Sequence, residues 1–341
     1  MDWEKYSTDF RQQAKCNYWT DNQIELALDY AKKLNDRNLP IIYDQNHLCL
    51  LLGWQSKYVH AMSNAKPNFY RQFKIPKKKG GFRTISEPLP DLKQIQKWIL
   101  NNILYKVPCS KFAKAYVVGG KLKSNAKFHK GQKAVLKLDI ESFFDSVEEK
   151  KIVGMFMRLG YIKSVAIMLA RLCCYARCLP QGAPTSPYLS NLVMLGFDNA
   201  ISEYCVKRKI RYTRYADDLT FSGDFDREEI ISVVIKELKK LGLRLKMDKT
   251  CYLRQNRRQC VTGIVVNAKL QAPRDYRMSI RQEVYYIRKY SLEDHLRFRH
   301  AEQRNRYLFS LLGKISYVLS INNNDKQMLE YREFIGGLLN K

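Results

Sequence analysis

Ile210-Arg211-Tyr212-Thr213-Arg214-Tyr215-Ala216-Asp217-Asp218-Leu219-Thr220-Phe221-Ser222 reads as two strand-like segments meeting at a pair of aspartates. β-branched and aromatic residues crowd both flanks, as they do in strands, and the two carboxylates fall at the bend between them. A bend suits adjacent acids, because a regular strand would send them to opposite faces. The plainer account is an Asp-Asp turn kept for its local hydrogen bonds. Taken alone, the dipeptide does not exceed that account.

A third carboxylate, Asp139, closes another strand-like run, Ala134-Val135-Leu136-Lys137-Leu138. Asp139, Asp217 and Asp218 at the tips of neighbouring strands would form an oxygen-only ligand set. Such sets suit Mg²⁺, which keeps much of its shell for water and substrate phosphates. Two Mg²⁺ ions ~3.5–4 Å apart activate an attacking hydroxyl and stabilise a leaving pyrophosphate. The expected chemistry is nucleotidyl transfer.

With 341 residues and 45% hydrophobic content, the chain has enough material for a full core and two or three subdomains. The formal charge of +27, from 60 Lys+Arg against 33 Asp+Glu, suits a polyanion, and nucleic acid is the default partner. No apolar run approaches the ~20 residues of a spanning helix, and Met1-Asp2-Trp3-Glu4-Lys5 does not resemble a signal peptide. The expectation is a cytoplasmic protein with no membrane partner. Nine scattered cysteines fit buried reduced thiols; Cys173, Cys174 and Cys178 lie close together but lack the partners of a zinc site.

Residues 1–66 read as a helical region, with Thr20 and Gln23 as a capping box ahead of Ile24, Ala27, Leu28, Ala31 and Leu34. Tyr70 to Pro88 reads as a hairpin with a Gly80-Gly81 turn and a lysine-rich tip. A basic hairpin suits a triphosphate, and Lys74 and Arg83 are the candidates because they lie on the strands. Lys77, Lys78 and Lys79 read as solvent-facing. Ala115 to Gly120 reads as a strand ending at a glycine turn. Asn125-Ala126-Lys127-Phe128-His129 follows, and nothing in the residue types gives His129 a role beyond a surface or hydrogen-bonded histidine.

Phe144, five residues past Asp139, either closes the space beside a bound sugar or is an ordinary core ring. Leu179-Pro180-Gln181-Gly182 opens toward a helix that begins near Ser186-Pro187, with Gly182 permitting close backbone approach. Within Gly242 to Thr250, Lys249 is the candidate to protonate departing pyrophosphate. From Gln271 onward arginines alternate with aromatics on helical spacing, a pattern that tracks phosphates and stacks unpaired bases at ~1–3 kcal/mol each. Arg281 and Arg288 are the candidates there.

In this order, the stretches resemble the boxes of reverse transcriptases. Tyr215-Ala216-Asp217-Asp218 is similar to the signature box, Asp139 to Phe144 to the first-aspartate box, and Leu179 to Gly182 with Ser186-Pro187 to the box that follows. Asn125-Ala126-Lys127-Phe128-His129 is similar to the Asn-Ala-x-x-His element of retron reverse transcriptases, and Val261-Thr262-Gly263 to their Val-Thr-Gly element.

The resemblance implies an α+β right-hand polymerase fold. Its fingers would span 67–134 with part of 146–190, its palm 135–270 with an antiparallel sheet carrying the carboxylates, and its helical thumb 271–341. It assigns two Mg²⁺ ions to Asp139, Asp217 and Asp218, the triphosphate to Lys74 and Arg83, exclusion of the 2′-hydroxyl to Phe144, and the nucleotide to Gln181. Asn125, His129, Val261, Thr262 and Gly263 would serve RNA recognition. The implied partners are deoxynucleoside triphosphates, a cognate noncoding RNA acting as template and primer, the RNA-linked DNA product, and a separate effector protein in anti-phage defence.

Three rivals stand beside this reading. An RNA-dependent RNA polymerase shares the metal logic, but Phe144 would collide with a ribose. A non-catalytic RNA-binding scaffold that holds a toxin would not need Asp217 and Asp218. Other bacterial reverse transcriptases, of group II intron, diversity-generating or abortive-infection type, share the chemistry.

Overall fold

Thr20 starts the helix Asp21–Asn35 as the sequence suggests: its Oγ accepts from the Gln23 amide, and the Gln23 side chain accepts from the Thr20 amide at 2.9 Å. The helix buries Ile24, Leu28, Ala31 and Leu34 along one stripe. The structure, a computed structural model, describes residues 2–64, 66–77, 80–300 and 303–339. Lys78 and Lys79 therefore lie outside the described residues.

Two compact units interleave along the chain. The first comprises Met1–Val117, Ile140–Ser202 and Val233–Lys246; the second comprises Val118–Asp139, Glu203–Ser232 and Met247–Lys341. Compactness thus divides the chain differently from sequential boundaries at 66, 134 and 270.

The first unit is mainly helical, with Leu34, Ile42, Leu48, Ile95, Phe156 and Leu169 in its core. Its hairpin pairs β1 (Tyr70–Pro76) with β2 (Phe82–Pro88) in antiparallel register, Lys74 opposite Thr84 and Ile75 opposite Arg83. Residues directly opposite share a face, and successive residues alternate. Lys74 and Arg83 therefore stand on opposite faces of the ribbon, so one ligand lying on a single face meets only one of them. Lys77, whose amide donates to the Gly81 carbonyl at 2.9 Å, continues the Arg83 face. Ala115 to Gly120 is not a strand. Tyr116 at φ +60° and Gly119 at φ +72° break the extended path there.

The second unit holds a four-stranded antiparallel sheet. Its members are β3 (Ala134–Asp139), β4 (Arg211–Tyr215), β5 (Asp218–Gly223) and β6 (Cys251–Arg254), in the order β4-β5-β3-β6. The inner strand β3 is covered on both faces, which is why it reads as a nearly continuous apolar run. The α+β expectation, with an antiparallel sheet carrying the carboxylates, holds. The helices Arg274–Tyr290, Arg304–Ile321 and Lys326–Leu339 close a second core in this unit around Ile280, Val284, Leu311, Ile315 and Ile335.

A short hairpin links that core to the sheet region. In it β7 (Cys260–Val261) pairs with β8 (Ile264–Val265) across the two-residue loop Thr262-Gly263. Thr262 at φ +47° and Gly263 at φ +82° have the signs of a type I′ turn, whose first position favours Asn, Asp or Gly. A β-branched residue there is strained by about 1 kcal/mol or more. Moreover, the Thr262 hydroxyl is buried without a hydrogen-bond partner among the described residues. Thr262→Asn should raise the denaturant midpoint, with a gain in unfolding free energy on the order of 1 kcal/mol. A lowered midpoint would mean that the threonine side chain contributes more than its backbone costs.

Candidate active site

The sheet register brings three of the expected site residues to one edge. Asp139 lies directly opposite Asp218, and Tyr215 opposite Asp218 closes β4 and β5 around the two-residue loop Ala216-Asp217. Asp218 is therefore the first residue of its strand rather than part of the bend. Lys137 pairs with Cys251 on β6, and continuing that register by two residues sets Lys249 opposite Asp139 on the other side. The Lys249 Nζ donates to both Asp139 oxygens at 2.8 Å. Asp139, which is buried, thus sits between an acid and a base in the hydrogen-bonding direction of the sheet.

The electrostatics follow from that crowding. Burial pushes the Asp217 carboxyl above the ordinary aspartate value, and the charges of Asp218 and Asp139 push the same way. Burial also raises Asp218, with Lys137 opposing. The hydrogen bond to Asp139 holds the Lys249 ammonium above the usual lysine value. Among the described residues no group of three His, Cys, Asp or Glu side chains is gathered tightly enough to hold an ion as it stands. The donor set nevertheless fits a hard divalent cation: all ligands are carboxylate oxygens, and a cation would relieve the burial and repulsion that raise Asp217 and Asp218.

The turn that carries Asp217 has its own support. Ala216 takes φ +57°, a left-handed position usually given to glycine. Beneath it Arg214 is fully buried, and its guanidinium Nη1 donates to the Ala216 carbonyl at 3.2 Å. Sequence reading passed over Arg214, because an arginine in a Tyr/Thr-rich strand looks like a solvent-facing residue.

Asn125 and His129 occupy a different kind of place from the one expected. Both are fully buried, on and just after the short helix Leu122–Phe128. Thr213 on β4 donates to Asn125 Oδ1 at 2.7 Å, so its hydroxyl accepts from His129 Nε2 at 2.7 Å. His129 Nδ1 then accepts from Ser222 on β5 at 2.7 Å. The neutral Nε2–H tautomer serves all these bonds. Enclosed side chains have no face for RNA, so these two, with the buried Val261, are fastenings within the unit. A buried polar group costs ~1–3 kcal/mol if left unpaired, and both His129 nitrogens and Asn125 Oδ1 are paired, whereas Asn125 Nδ2 has no hydrogen-bond partner among the described residues. His129→Ala should destabilise the protein by roughly 3 kcal/mol in denaturant titration, from the lost bonds to Ser222 and Thr213 and a cavity. A loss under about 1 kcal/mol would remove the bridge between strands as a reason for this histidine.

Arg288 is likewise engaged inside its unit, 2.9 Å from Glu330 and with its guanidinium 4.6 Å from the Phe334 ring centre. Arg281 is exposed.

In the first unit, Gln181 and β2 are tied together. The Ser86 amide donates to the Gln181 carbonyl at 2.8 Å, and the Gln181 side chain donates to Asp145 at 3.3 Å. Gly182 makes that approach possible at φ +130°, where an added Cβ would lie 2.8 Å from the Ser86 carbonyl oxygen. Phe144 is half-buried against the core, its ring centre 5.5 Å from Phe143 and 6.3 Å from Tyr116. The core contact and a partly open face coexist at this residue.

Residues 75–286 match the family model of reverse transcriptases (RNA-dependent DNA polymerases). Among curated proteins, the chain is similar to the retron Ec86 reverse transcriptase of Escherichia coli, 33% identical over 271 residues, covering 76% of this chain and 79% of that protein. It is similar to the retron Mx65 reverse transcriptase of Myxococcus xanthus, 32% identical over 335 residues, covering 91% and 76%. The retron Mx162 reverse transcriptase of the same organism is 32% identical over 256 residues, covering 64% and 53%. Among solved structures, a telomerase from Candida albicans in complex with a telomeric RNA fragment matches with TM-score 0.45 and 12% identity, over 78% of this chain and 63% of that one.

Proposed function

The chain belongs to the reverse transcriptases, as an RNA-directed DNA polymerase of the retron type, and from that premise we propose that it copies part of a cognate noncoding RNA into RNA-linked single-stranded DNA. The observation that carries the catalytic part is the register that sets Asp139 opposite Asp218, with Asp217 in the adjoining loop and Lys249 on the far side. Asp139, Asp217 and Asp218 would hold two Mg²⁺ ions, which supply a more acidic attacking hydroxyl and charge neutralisation at the departing pyrophosphate. Lys249, already bonded to Asp139, carries the proton that pyrophosphate takes up on leaving. Arg83 serves the triphosphate as a bidentate fork, with Lys77 rather than Lys74 on its face of the ribbon. Gln181 positions the incoming nucleotide.

Synthesis starts from the 2′-hydroxyl of a guanosine in that RNA, and the product acts with an effector protein in defence against phage. No helix among the described residues is long and apolar enough to cross a membrane. Purifying the protein from its native locus, with its nucleic acid, tests the whole reading. The expected result is a discrete single-stranded DNA joined to RNA through a 2′,5′ branch, and absent when Asp217 and Asp218 are changed. RNA alone, with extension only of an added primer, would leave another class of reverse transcriptase.

Phe144 is the proposed guard against ribose. Phe144→Ala should raise ribonucleotide incorporation relative to deoxyribonucleotide by roughly tenfold or more in matched primer-extension assays. An unchanged ratio would return Phe144 to the core.

A further inference from the structure

The helix Arg274–Tyr290 carries two neighbouring columns at four-residue spacing. One is Arg281, Tyr285 and Lys289; the other is Gln282, Tyr286 and Tyr290. The second column lines a cavity of about 570 Å³, closed by Asp294, His295 and Phe298 from the next helix, Leu292–Phe298. Tyr290, Tyr286 and His295 form a run of near-parallel rings, centres 6.1 Å apart at each step and 23° and 16° from parallel. Phe298 is 79% exposed and Tyr290 51%. Single exposed rings are ordinary, but a cluster of them around a cavity marks a binding surface.

The far wall is rigid. Buried His295 meets Glu283 at 2.7 Å and Tyr307 at 2.9 Å, and Arg299 meets the other Glu283 oxygen at 2.7 Å. His295, itself enclosed, holds the near-parallel Tyr286 ring in place, so half-buried Tyr286 and exposed Tyr290 make a preformed stacking wall and little ordering cost remains for a ligand. Beside it the first column is cationic. The Lys289 ammonium lies 5.0 Å from the Tyr290 ring centre and 5.8 Å from that of Tyr285. Arg281 lies two turns away on the same column, roughly 12 Å along the axis.

We propose that this cavity holds an unstacked base of single-stranded RNA, with Arg281 and Lys289 on the flanking phosphates. The inference rests on the RNA-directed reading above and deepens it by naming a base-stacking site. Aromatic faces take any base, so recognition there is sequence-tolerant, with Gln282 at the rim to bond base edges. Asp294 is partly committed, since its Oδ2 accepts from Ser291 at 3.0 Å.

The test uses the full chain and a fluorescein-labelled oligouridine of about fifteen nucleotides, with an abasic oligomer of the same length. Tyr290→Ala with Phe298→Ala should weaken oligouridine binding roughly tenfold while leaving the salt slope unchanged. Tyr290→Phe should retain affinity, and the abasic oligomer should not register the alanine changes. Arg281→Ala or Lys289→Ala should instead reduce the salt slope by about one. Phe298→Ala alone supplies the readout if the double variant fails to fold. Unchanged oligouridine affinity, or equal weakening of the abasic oligomer, overturns the site and leaves a protein segment as the occupant of the cavity. Extension of an RNA-templated primer by the unaltered chain is measured alongside. Its absence overturns the polymerase reading, whereas its presence with no aromatic effect overturns the cavity alone.

Discussion

Asp217→Asn with Asp218→Asn should abolish RNA-templated extension and, in metal-free buffer at neutral pH, raise the thermal midpoint. The loss of activity follows from removing two of three proposed metal ligands. Metal catalysis supplies several kcal/mol of charge stabilisation, which at about 1.4 kcal/mol per tenfold is roughly a thousandfold or more. The gain in stability follows from the direction of the shifts. Burial raises both carboxyls, and for Asp217 the neighbouring acids add to it. The folded chain therefore binds these protons more tightly than the unfolded chain does. Above the raised values the ionised pair subtracts stability, and the subtraction develops as pH climbs from the ordinary aspartate range through them. In the asparagine variant that part of the pH slope should disappear. Retained extension would sink the catalytic assignment; a lowered midpoint would show that both carboxylates are satisfied in the folded protein. Function and stability pull in opposite directions at this loop.

Gly182→Ala should cost roughly 4 kcal/mol, the sum of overpacking and backbone strain at ~1–3 kcal/mol each. The new Cβ would fall 2.8 Å from a backbone oxygen of Ser86 and 2.9 Å from Cγ2 of Ile85, at φ +130°. Neither neighbour is the loose end of a long side chain, so the Ser86–Gln181 bond must open. Extension should fall with stability, and the Michaelis constant for the incoming nucleotide should rise as Gln181 loses its tether. A variant with normal stability and kinetics would mean that the loop relaxes freely, and that its closeness to β2 is incidental.

What could be read in advance follows the range of the physics involved. The strands around Asp217 and Asp218 were legible because β-branched and aromatic residues crowd both flanks, and the capping box because it is complete within four residues. Asp139 was legible as the end of an apolar run. By contrast, His129 was opaque, since its partners Thr213 and Ser222 lie more than eighty residues away and its sequence neighbours are lysines. Arg214 was opaque for the same reason: burial of a charge is a tertiary fact. The hairpin shows a third kind of gap. Alternation along a strand is visible in sequence, but choosing Lys74 with Arg83 required the cross-strand register, and that register separates them. Ala115 to Gly120 had strand-like composition, yet Tyr116 turns left-handed.

The interleaving of the two units has a consequence for synthesis on the ribosome. The first unit has most of its material by Val117 and more by Ser202, but its last segment, Val233–Lys246, emerges much later. Over a hundred residues separate its opening segment from that closing one, roughly ten seconds of elongation. The buried core cluster of that unit runs from Ala31 to Val193, so it can close while the last segment is still to come. The same threading means that neither unit can be cut out and expressed as a contiguous fragment, or exchanged between relatives by a single crossover.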